Sequence, residues 1–250
     1  MEKNNIINVF WTGGMDSTFN LIQKLLTTSS LIHPHYIVRH EDSTGNEINT
    51  MINIRRAIIK KFPDVRSRFL PTTYTNEDYI PKFEEIDSEI AELRKKVRVH
   101  EQYQIMAHYC KANNIDKIDV SYEMQADDSN SDGMSIAQYI GNTEAFKSFV
   151  NPLKEVTKKE CYYLAKDNNW NDLLDLTSFC RRPRRKKIHP CGSCGPCIDV
   201  VKEGLGFRLP FSSRTKAKIQ IPFRKFWRRN FLKHDKGVFK IIKRYLIGRL

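Results

Sequence analysis

The sequence predicts an α/β protein whose parallel sheet is covered by helices on both faces. Three observations lead there. Short β-rich runs alternate with stretches of helical spacing from Ile7 to Met124. The chain of 250 residues is long enough for one sizeable core with an appendage. A glycine pair stands directly between the first strand pattern and the first helix pattern.

Taken in order, "INVFW" is a short strand. "GMDSTFNLIQKLLTT" follows with apolar residues at Phe19, Leu21, Ile22, Leu25 and Leu26, the spacing of a helix face. "HYIVRH" and "NEINTMINIRRAIIKKF" form a second such unit. "SRFLPTTYT" is a third strand, weakened by Pro71. A helical stretch in two pieces runs from about Tyr79 to Asn113, and "DKIDVSYEM" is a fourth strand. Strands alternating with helices imply a parallel sheet covered on both faces. "QADDSNSDGMS" is polar and reads as a loop leaving the fourth strand, in the place where open α/β sheets line a ligand crevice. In "NPLKEVTKKECYYLAKDNNW", Thr157 with Glu160 three residues on marks a helix start.

The loop "WTGGMDSTF" brings backbone N–H groups and a helix N-terminus around a compact anion. Gly13 and Gly14 allow close approach of the backbone, and the hydroxyls of Thr12, Ser17 and Thr18 can donate to phosphate oxygens. Asp16 orients the loop or holds Mg²⁺. An ordinary Gly-Gly turn with an Asp or Ser cap is the other reading. A Walker-type loop is excluded, because its lysine is missing.

Six cysteines occur, at 110, 161, 180, 191, 194 and 197. Cys180, Cys191, Cys194 and Cys197 give C-x10-C-x2-C-x2-C, a spacing that suits four thiolates on a structural Zn²⁺, with an iron–sulfur cluster as the rival. Cys110 and Cys161 lie in helical patterns and read as core residues. No signal-peptide core and no run of roughly 18 apolar residues is present, so a cytoplasmic location is expected.

The string Thr12-Gly13-Gly14-Met15-Asp16-Ser17 resembles the Ser-Gly-Gly-x-Asp-Ser signature of the PP-loop ATP pyrophosphatases, with threonine for the first serine. "LTSFC" and "CGSCGPC" together resemble the terminal elements of one branch of that superfamily, the 7-cyano-7-deazaguanine synthases of the queuosine pathway. "NPLKEVTKKECYYLAKDNN" is similar to their Pro-Leu…Lys-x-Glu helix, and "HYIVRH" to their second strand, with Arg39 matching an arginine there. Arg98 falls where that family has an Arg-Asn pair, though Val99 stands next to it here. The resemblance spans residues 5 to 206 and fails in the substrate loop, where the family's Gly-Tyr-Pro-Asp-Cys-Arg segment is replaced by "QADDSNSDGMSIAQY".

The resemblance implies a Rossmann-like sheet of the adenine nucleotide α-hydrolase type and a C–N forming ligase. ATP is cleaved between its α and β phosphates, a carboxylate is adenylated, and ammonia displaces AMP. Pyrophosphate would lie on Thr12, Gly13, Gly14, Asp16, Ser17 and Thr18. Asp16, Ser17 and Arg98 would be catalytic, with Arg39 at the phosphates or the substrate carboxylate; salt-bridging is the alternative for both arginines. Asp127, Asp128 and Asp132 would read substrate N–H donors or be merely solvated. Other acceptors (a sugar carboxylate, a protein terminus, a tRNA base) and a non-enzymatic nucleotide-binding scaffold at a membrane remain open.

The expected organisation is a nucleotide-binding domain over 1–178, a zinc knuckle over 179–207 and a basic tail over 208–250. The net charge of +13 resides in that tail, which holds fourteen Lys and Arg against Asp235 alone. "RRPRRKK" adds a cationic run inside the cysteine loop. "PFRKFWRRNFLK", opened by Pro222, and "VFKIIKRYLIGRL" each have amphipathic helical spacing. Such segments pack on the body or a dimer mate, lie on an anionic membrane, or bind nucleic acid.

Overall fold

Five strands run parallel in one sheet, ordered β3-β2-β1-β4-β5, in a computed structural model that describes residues 5–97, 99–121, 139–182 and 190–231, with the backbone alone for 224–231. They are β1 (Ile6–Phe10), β2 (Leu31–Val38), β3 (Thr73–Asn76), β4 (Ile118–Asp119) and β5 (Phe149–Val150). The helices are α1 (Met15–Thr27), α2 (Thr44–Lys61), α3 (Glu84–Lys96), α4 (Glu101–Ala112), α5 (Lys158–Asp167), α6 (Asn171–Asp175), α7 (Gly195–Lys202) and α8 (Phe211–Phe231). The chain divides into two compact units, Met1–Ser178 and Phe179–Leu250.

Alternation along the strands sends neighbouring residues to opposite faces. Phe10 and Ile118 face α3 and α4, where they join Ile90, Leu93, Tyr109 and Phe149 in one buried cluster. On the other face, Tyr36 donates to Glu47 of α2 at 2.9 Å, and Asn20 of α1 donates to Asp119 of β4 at 3.0 Å. Each face is thus covered.

β3 shows what a proline does to a parallel edge. Ile32 exchanges hydrogen bonds with Arg68 and Leu70, the ladder breaks at Pro71, and pairing resumes at Thr73 against His35. Arg55 steadies this segment by donating to the carbonyls of Leu70 and Phe69 while its guanidinium sits 3.9 Å from the Phe69 ring centre.

Several elements depart from the sequence expectation, the short helices α6 and α7 among them. β5 adds a fifth strand of two residues, too short for any periodicity to mark. α8 begins at Phe211 and passes through Pro222 instead of opening there. Pro210 supplies the start by accepting from the Arg214 N–H at 2.9 Å, and buried Ala217 holds the helix against its own unit.

Candidate functional site

The strand order reverses at β1, so the carboxyl ends of β1 and β4 border the crevice in which open α/β sheets bind ligands. The glycine loop lies there. Gly13 adopts φ +70°, and Gly14 caps α1 with no side chain closing the cap. The first intrahelical bond runs from the Thr18 N–H to the Gly14 carbonyl at 3.1 Å, so the loop turns directly into the helix N-terminus.

Inside the loop, the Ser17 hydroxyl lies 3.4 Å from both the Thr12 hydroxyl and the Gly14 carbonyl, and it accepts from the Thr12 N–H at 3.3 Å. The Gly14 N–H donates to Thr12 Oγ1 at 3.3 Å. These long contacts tie Thr12, Gly14 and Ser17 into one group. Thr18 is elsewhere: it is fully buried, and its hydroxyl accepts from the Trp11 indole N–H at 2.9 Å. It anchors α1 to β1 and does not line the loop.

Two residues distant in sequence reach this loop. Lys158, the first residue of α5, places its ammonium 3.6 Å from the Asp16 carboxylate. The capping box that starts α5 fixes it: Glu160 N–H donates to Thr157 Oγ1 at 3.3 Å, and Thr157 N–H to Glu160 Oε2 at 2.8 Å. Ser178 donates its N–H to the Gly13 carbonyl at 3.1 Å, while its hydroxyl accepts from Asn46 at 2.7 Å. The helix "NPLKEVTKKE" and the element "LTSFC" stand apart in the sequence, yet their lysine and serine meet at the loop.

Asp119 was not singled out by the sequence, although it ends the fourth strand. It is buried beside α1, and burial raises its carboxyl above the usual range against the Asn20 hydrogen bond and the Lys24 ammonium at 3.7 Å. Arg39, by contrast, is ringed by carboxylates: Glu41 at 2.7 Å, Glu77 at 3.2 Å and Glu101 at 3.2 Å. Its Nε and both terminal nitrogens are engaged, which is the salt-bridged arrangement. Arg98, Asp127, Asp128 and Asp132 lie outside the described residues, as do 183–187 of the "RRPRRKK" run and the tail from 232.

In the second unit, Cys180, Cys191, Cys194 and Cys197 bring their sulfurs within 4.8 Å of one another. Cys191–Cys197 and Cys180–Cys194 are each 4.0 Å apart. Four thiolates about 2.3 Å from one ion stand about 3.8 Å apart in a tetrahedron, so the cage fits a single metal. A multi-iron cluster would spread the sulfurs further, since several atoms would stand between them. Backbone N–H groups of Ser193 and Cys194 donate to the Cys191 sulfur at 3.4 and 3.3 Å, and that of Cys191 to Cys180 at 3.2 Å. Four thiols this close cannot all ionise without mutual repulsion. A cation would relieve that conflict. Gly192 makes the turn at φ +72°, and a Cβ there would stand 2.2 Å from the Ser213 carbonyl oxygen.

Cys110 and Cys161 are buried in the first unit. Burial lifts the Cys110 thiol to about 12, which leaves it inert as a nucleophile. Among the described residues no helix is long and apolar enough to cross a membrane. No protein-family model matches the chain, and no curated protein matches it.

Proposed function

We propose that this chain is an ATP-dependent adenylating enzyme of the PP-loop kind, built on a Rossmann-like sheet of the adenine nucleotide α-hydrolase type and operating in the cytoplasm. One observation carries the reading: a hydroxyl-Gly-Gly-x-Asp-Ser loop at the reversal of strand order, with the Lys158 ammonium delivered to its acid. An ordinary capped turn has no need of a lysine from 142 residues further along the chain.

In this reading the Thr12 and Ser17 hydroxyls and the N-terminal N–H groups of α1 hold the leaving pyrophosphate. Lys158 exchanges Asp16 for phosphate oxygens and offsets the charge that develops as the α–β bond breaks. Asp16 is then the carboxylate within reach of Mg²⁺, which when bound would neutralise the phosphates. The acceptor carboxylate attacks the α-phosphorus, ammonia attacks the acyl carbon, and AMP leaves with its electron pair to give an amide. For a nitrile product the amide oxygen attacks the α-phosphorus of a second ATP, pyrophosphate leaves, and loss of AMP and a proton forms the C–N triple bond. A four-cysteine zinc site has no open coordination position, so its part is structural.

The test is incubation with ATP, Mg²⁺, ammonium and 7-carboxy-7-deazaguanine. AMP, pyrophosphate and the nitrile are the expected products. ADP and orthophosphate would overturn the pyrophosphatase chemistry, and AMP without nitrile would retain that chemistry and replace the acceptor. The same assay run on sugar carboxylates and tRNA then identifies the class adenylated.

A further inference from the structure

We propose that the outward face of α8 binds the surface of an anionic lipid bilayer. A helix packed by one face ordinarily turns polar residues to water. α8 buries Ser213 and Ala217 and instead exposes Phe211, Ile219 and Phe223, at 81, 68 and 53 %. At about 100° per residue, positions 211, 215, 219, 222 and 223 fall on one stripe spanning roughly a third of the helix circumference. Lys218 borders this stripe on one edge and Lys216 on the other, and both are exposed. The stripe therefore has an aromatic and aliphatic centre between two ammonium-bearing stems, which can lie along it while their charges rise to the headgroups.

Charge selects the occupant. Residues 211–231 contain seven Lys and Arg and no acid. A second copy presenting this face would bring like charges together. Nucleic acid would satisfy the cations but leave the large apolar side chains in water. Within Phe179–Leu250, Phe211 and Ile219 stay exposed among the described residues. An anionic bilayer accepts both parts, the rings and Ile219 at the acyl boundary and the ammonium groups at the phosphates.

The experiment uses the full chain and vesicles of phosphatidylcholine with and without phosphatidylglycerol, read by co-flotation. Binding should require phosphatidylglycerol. It should weaken about ten-fold or more in Phe211→Ser/Ile219→Ser/Phe223→Ser and separately in Lys216→Glu/Lys218→Glu. These positions are exposed, so metal content and far-UV circular dichroism should stay at wild-type values in both variants. Undiminished vesicle binding by the apolar variant would overturn the proposal. So would a dimer, seen by sedimentation velocity, that Ile219→Ser dissociates. Retention of duplex RNA without any vesicle binding would overturn it in favour of nucleic acid.

Discussion

Gly13 is held at φ +70°, and a Cβ there would meet Thr50 Cγ2 at 3.1 Å and Met51 Cγ at 3.2 Å. Gly13→Ala should therefore cost about 1–3 kcal/mol of stability in urea unfolding and lower AMP release with it. Lys158 separates function from folding, because it sits partly exposed at the start of α5. Lys158→Ala should lower AMP release by about 10²-fold while leaving the thermal midpoint nearly unchanged. His35 gives a pH signature instead. It is buried between Tyr109, whose hydroxyl is 2.8 Å from Nδ1, and Asn8, whose Oδ1 is 3.0 Å from Nε2. Burial, aided by the neighbouring His33, lowers it from 6.5 to about 4. The folded protein thus favours the neutral ring: stability is complete above pH 6.5 and falls as the pH drops toward 4. The loss from this group reaches about 3 kcal/mol, and His35→Gln should flatten that part of the urea-unfolding profile relative to wild type. Gly13 and Ser17 were readable as loop residues from their spacing. Lys158 was readable only as part of a helix, since no local pattern tells a lysine which loop it will face.

At the level of elements, α1, α2 and α5 follow the apolar spacing and the cap, because those signals act within a turn or two of helix. Thr157→Ala tests the cap of α5. It should cost about 1 kcal/mol in thermal unfolding, and AMP release should fall further than that loss explains, because the first turn that fixes Lys158 would fray. β3 was legible together with its flaw, as Pro71 breaks the ladder where the sequence placed the weakness. β5 and the start of α8 were not. A two-residue strand is defined by its neighbour β4, and α8 starts where Pro210 and the burial of Ala217 allow, eleven residues before the proline that marked it in the sequence.

For the whole molecule, the division at Ser178/Phe179 predicts that metal removal acts within the second unit alone. The second unit is small, and its cysteine turns are held chiefly by N–H contacts to sulfur, so bound metal should contribute much of its folding free energy. Thiol capture by a mercurial with a chelator present should release one zinc ion per chain. Amide exchange should then rise across Gly195–Lys202 while β1 and β2 keep their protection. Release of iron, or loss of protection in both units together, would contradict this. Gly192→Ala should mimic metal removal, since its Cβ cannot coexist with the Ser213 carbonyl.

The glycine loop, the four-cysteine spacing, the strand–helix alternation and the basic tail are all written in the chain itself, because each depends on residues within a few positions of one another. Strand order, the meeting of Lys158 and Ser178 at Gly13 and Asp16, the enclosure of Arg39 by Glu41, Glu77 and Glu101, and the outward turn of Phe211 and Ile219 belong to tertiary structure alone. The reason is physical: periodicity tells a side chain which face of its own element it occupies, whereas its partner is decided by how the sheet is ordered and what packs against it.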